Sequence, residues 1–157
     1  MALSNGFSPL KLLQLLHRFL LTGQIIFFAV AFVLVFTQQF NPVFTEAFII
    51  QRIQAVALVL LLLAIIIGQK LFAAKLAKAI TAPSAEDKLN AYRVAFLLKL
   101  VLLEGAQLFC TVLFLLTANY VLAGMAAFAM WLFIRNKPTK AIMVQQLELS
   151  TLEAESL

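Results

Sequence analysis

Apolar residues run through this chain in long stretches separated by short polar breaks, and the charges fall between those stretches rather than around a surface. That segregation is what membrane-crossing helices produce. The first stretch is introduced by "FSPLKLLQLLHRF", in which Ser8 reads as an N-cap and Pro9 as the first helical residue, where its missing N–H does no harm. The pattern predicts a helix from near Pro9 to about Thr37. "TQQFNPVFTEAF" breaks it, with Asn41-Pro42 as the turn signal, and Phe36, Phe40, Phe44 and Phe48 recur every four residues as an interfacial aromatic set.

A second helix is predicted from about Glu46 to Ile80, its apolar centre at Val56 to Ile67 and its last turns, "GQKLFAAKLAKAI", a basic amphipathic extension. Pro83 ends it. Ser84 with Asp87 three residues on resembles a capping box in which Asp replaces Glu or Gln. The third helix then runs to about Thr117, roughly 50 Å at 1.5 Å per residue, long enough to begin outside a membrane. "TAN" is so short a connection that the third and fourth helices must form an antiparallel hairpin. The fourth, Tyr120 to Arg135, is only just long enough to cross, with local thinning of the bilayer. After "RNKPT" come a short amphipathic helix and an acidic tail. The predicted architecture is an all-α membrane protein with four transmembrane helices in two hairpins and long cytoplasmic extensions of the second and third. Residues 1–140 form the transmembrane domain and 141–157 the amphipathic helix and tail.

Composition sharpens this: 157 residues, 64% hydrophobic, with a mean hydropathy of +1.02, lie far outside the soluble range. Of the 12 Lys and Arg residues, all but Arg52 and Lys99 fall on one side if four helices alternate. The positive-inside rule then puts both termini and the central loop in the cytoplasm of an inner-membrane protein. Tyr92 and Trp131 come at the inner interface and Tyr120 at the outer one. The net charge of +5 flanks apolar segments, which points to lipid headgroups and topology, not to nucleic acid. The first apolar run is too long for a signal core, and no small-residue cleavage site follows it, so it reads as a retained span.

The chemistry-bearing residues are few. Glu104 stands near the centre of the third span, where an acidic group costs about 2.5–3.5 kcal/mol on insertion scales. At about 100° per residue, Arg93, Glu104, Gln107 and Thr111 fall on one face within about 60°, a narrow polar stripe suited to a protein neighbour. Lys99 is on nearly the opposite side and snorkels toward the cytoplasm. Across the interface, Gln24 on the first helix is the hydrogen-bond candidate for this stripe, with His17 on the same face at the mouth. Glu104 then reads as a neutral acid hydrogen-bonded between helices, as a group that handles a proton or cation, or as a contact to a binding partner. His17 reads as interfacial, beside Arg18 at headgroup level. Gly105, Ala123, Gly124 and Ala127 read as allowing close helix packing.

One histidine and one cysteine, Cys110, offer no metal-ligand spacing, and there is no P-loop, GxSxG or dinucleotide fingerprint. Neither an enzyme nor a cofactor is expected. Cys110 has no intramolecular partner and reads as a packing residue.

"LLEGAQLFCTVLFLLTANY" followed by "RNKPTK" resembles a group of small bacterial four-span inner-membrane proteins. An EG-x-x-LF motif in the third span (Glu104, Gly105, Leu108, Phe109) and an R-x-x-PTK stretch after the fourth (Arg135, Pro138, Thr139, Lys140) carry the resemblance. It implies architecture and no activity. Proteolipid rotor subunits and small multidrug exporters also use a membrane carboxylate, but this chain has five glycines, no glycine-rich packing helix, and its acid in the third helix. Two roles follow from the sequence. The first is a non-enzymatic membrane protein whose partners are the bilayer and a further membrane component, either another copy of this chain or a different protein. The alternative is a small proton- or cation-coupled transporter working through Glu104.

Overall fold

The computed structural model describes residues 9–148; Ser8 and the acidic tail beyond Glu148 lie outside them. The chain forms α1 (Pro9–Phe36), α2 (Ala47–Ile80), α3 (Ala85–Thr117), α4 (Tyr120–Arg135) and α5 (Lys140–Leu147), with no strand among the described residues. α1, α2 and α3 are each long and apolar enough to cross a membrane. α4 has 16 residues, about 24 Å of helix against a hydrocarbon core of about 30 Å.

The boundaries have local causes. Ser84 caps α3 by accepting the Asp87 N–H at 3.1 Å, and its hydroxyl donates to the Asp87 carboxylate at 2.7 Å. The predicted box is thus modified: the Asp side chain, one methylene shorter than Glu, engages the Ser84 hydroxyl. Ala118 takes a left-handed conformation (φ 51°) to end α3. Asn119 then starts α4 by accepting the Val121 N–H at 3.0 Å. Thr139 caps α5 in the same way, through the Ile142 N–H at 3.3 Å.

Successive helices run in alternating directions, so the start of α1, the end of α2, the start of α3 and the end of α4 gather at one end with α5. At that end Leu13, Ala79, Tyr92, Phe133, Met143 and Leu147 share one buried cluster, which joins α5 to the main core. At the other end the loop after α1 docks on α3: the N–H groups of Val43 and Phe44 donate to the Leu116 carbonyl at 2.8 and 3.2 Å. Leu116 is in the last turn of α3, where carbonyls have no donor within the helix. Nearby, Gln54 of α2 donates to Asn119 at 2.8 Å and ties α2 to the turn between α3 and α4.

α3 is the centre of the arrangement. It packs against α2, α4 and α1, whereas α1 and α2 hardly touch although they are consecutive. Each therefore turns a broad apolar surface outward: Phe19 is 76% exposed and Val30 52% on α1, Val56 53% and Val59 54% on α2. A soluble monomer does not leave apolar surface of this extent in water, and lipid is the solvent that accepts it.

Candidate functional site

Seven-residue steps bring Leu10, His17, Gln24 and Ala31 onto one buried face of α1. His17, expected at headgroup level beside Arg18, is 3% exposed and enclosed by protein. Its Nε2 is 3.0 Å from the Phe133 carbonyl, and because a carbonyl can only accept, Nε2 carries the proton in this contact. The imidazole also stacks on the Phe133 ring, with centroids 4.8 Å apart. One turn earlier, the Gln14 amide donates to the Pro138 carbonyl at 3.1 Å. The first bond fastens the start of α1 to the last turn of α4, where the Phe133 carbonyl also accepts the Asn136 N–H at 3.1 Å, and the second fastens it to the α4–α5 connection.

Gln24 is 1% exposed, and neither its oxygen nor its nitrogen has a hydrogen-bond partner among the described residues. The bond anticipated from Gln24 to the polar stripe of α3 is therefore not made. Gln107 and Thr111 are fully buried and bond to each other within α3. The Gln107 amide donates to Thr111 Oγ1 at 3.1 Å, and the Thr111 hydroxyl donates to the Gln107 carbonyl at 3.0 Å. Gln107 Oε1 is left without a donor.

Glu104 separates from this group. It is half-buried, at the edge of the buried arc of α3, next to an exposed stripe of Val101, Gly105, Phe109 and Val112. It makes no hydrogen bond or ion pair among the described residues. Gly105 beside it is uncovered: a Cβ built there meets nothing within 4 Å, and the same holds for Gly124. These glycines do not bring helices of this chain together, contrary to the sequence expectation. Gly68 has that role, with the Lys99 side chain and carbonyl 3.7 Å from where its Cβ would stand.

Several contacts were not foreseen from the sequence. Lys99 does not simply reach for water: it is half-buried, its ammonium 5.2 Å above the Phe72 ring. Tyr92 is 1% exposed under α5 and donates to Gln146 at 3.0 Å. Phe72 and Phe96 flank its ring at 5.8 and 6.0 Å. Trp131 and Tyr120, by contrast, stay about half exposed, as amphipathic rings at a membrane edge would be.

The arrangement defines an all-helical chain with at least three membrane-capable helices and a carboxylate at the rim of its central helix. No family model, curated protein or solved structure matches it. Among the described residues no group of His, Cys, Asp and Glu could hold a metal ion.

Proposed function

We propose that this chain is a non-enzymatic multipass inner-membrane protein, with four spans and both termini cytoplasmic, that binds a further membrane component along the Glu104–Gly105 edge of α3. The observation that carries the reading is Glu104. A carboxylate in hydrocarbon costs about 2.5–3.5 kcal/mol, and no group of the described chain offsets that cost. A donor from a second component would do so, and the open Gly105 beside it admits a helix at short distance. The clustering of Lys and Arg toward the α5 end supports the orientation.

Two variants test it. Gly105→Leu meets open space within the chain, so it should insert normally and abolish co-migration with the partner on native gels of solubilised membranes. A complex of unchanged size would remove this docking edge. The second reading, a proton- or cation-coupled transporter, is supported by the unpartnered buried amide of Gln24 and the unpartnered Oε1 of Gln107. Glu104→Gln keeps shape and some hydrogen bonding but cannot titrate. Full function and unaltered pH-dependent flux in vesicles carrying this variant would end the transport reading.

A further inference from the structure

At the end of the molecule that carries α5, a cleft of about 160 Å³ opens between α2, α3 and the α4–α5 connection. Three cations line it: Lys99 from α3, Arg135 from the last turn of α4 and Lys137 two residues later; the lining contains no carboxylate. Like charges around one concavity repel, and that energy changes sign when an anion sits among them.

The lining is held in place. The Lys99 stem lies against Gly68, with its ammonium over Phe72. The Arg135 guanidinium rests 4.9 Å above the Trp131 ring, a stacking that leaves its planar fork able to grip oxygens in pairs. Gln146 also lines the cleft; its oxygen is taken by the Tyr92 hydroxyl, so its N–H groups are what it has to offer. Three cations and an amide donor, with no competing acid, make a receptor for a compact, multiply oxygenated anion.

We propose that this cleft is a binding site for a phosphate-bearing anion, seated between Lys99, Arg135 and Lys137. A phospholipid headgroup and free phosphate present the same chemistry. The surroundings favour the lipid. Lys99 and Asn136 also border an adjoining, mostly apolar notch of about 40 Å³, walled by Ala64, Ile65, Leu103 and Leu132 with Gln69 as a further polar member. An amphiphile would lay the start of its hydrocarbon there.

The test uses the full chain in a non-ionic detergent, titrated with short-chain phosphatidylglycerol, short-chain phosphatidylcholine or inorganic phosphate and read by native mass spectrometry. Phosphatidylglycerol should bind more tightly than phosphatidylcholine. Arg135→Gln with Lys137→Gln, both at exposed positions, should weaken it about tenfold or more, as expected for lost charge-assisted contacts. Lys75→Gln with Lys78→Gln, outside the cleft, should leave it unchanged. Competition by millimolar inorganic phosphate assigns the site to free phosphate as well; no competition assigns it to the headgroup. Equal binding of both lipids, or equal loss in the two double variants, would overturn the site.

Discussion

Gln24→Met isolates the energetic weight of a buried amide that bonds to nothing. Gln24 is 1% exposed, and both its polar atoms are unpartnered among the described residues. Leaving such a group unsatisfied costs about 1–3 kcal/mol on protein mutational scales. Met is unbranched and similar in length, so its packing penalty is small. The comparison in a micelle is with a separated helix whose Gln24 can also find partners, and this trims the gain to about 0.5–2 kcal/mol. Gln24→Met should therefore raise the ratio of folded to unfolded protein about 2- to 30-fold. The assay is reversible unfolding in mixed micelles with increasing sodium dodecyl sulfate, followed by far-ultraviolet circular dichroism. Gln107→Met provides the contrast. It frees an unpartnered oxygen but loses the bond to Thr111, so its net effect should stay within about 0.5 kcal/mol. A loss of 1 kcal/mol or more in Gln24→Met would mean that the amide is satisfied in the membrane, and the reasoning would fail.

Other contacts have measurable weights. His17→Phe keeps the stack on Phe133 but loses the bond to its carbonyl, costing about 0.5–1.5 kcal/mol, whereas His17→Ala also opens a cavity and should cost about 2–4 kcal/mol in the same unfolding assay. Asn119→Ala removes both the α4 cap and the bond from Gln54, and should cost about 1–2 kcal/mol. Tyr92→Phe releases the tether to Gln146, so limited proteolysis within α5 should speed up about two- to tenfold with little change in global unfolding. Gly105→Ala meets no atom and gains helix propensity, so isolated-chain stability should be unchanged or higher by up to about 1 kcal/mol.

The helix boundaries were legible because they depend on neighbours in sequence: Pro83 and Ser84 divide α2 from α3, and Asn119 starts α4 whatever lies around it. The buried stripe was legible only in part. The wheel correctly grouped Gln107 and Thr111, but it could not say where the buried arc ends, and Glu104 falls at its margin. The enclosure of His17 was not legible: Arg18 beside it suggests headgroup level, whereas what covers the imidazole includes Phe133, 116 residues away. Spacing already put His17 and Gln24, two helical turns apart, on one face, but it does not say which helix covers that face. Tyr92 likewise has the composition of an interfacial ring, and nothing in its own helix announces that Met143 and Leu147 bring α5 down over it. Pairings between distant segments are set by shape and depth, which periodicity does not carry.

Because α1 and α2 each lean on α3 and hardly on one another, the order of synthesis and the order of assembly differ. If the chain inserts as proposed, the first two helices would enter lipid with little to hold them together until the third arrives. Only then can α2 find the Lys99 stem beside Gly68, and only after α4 has emerged can His17 find its carbonyl. On that reading a lesion that delays α3 would be felt by every other helix, because each of them packs against it.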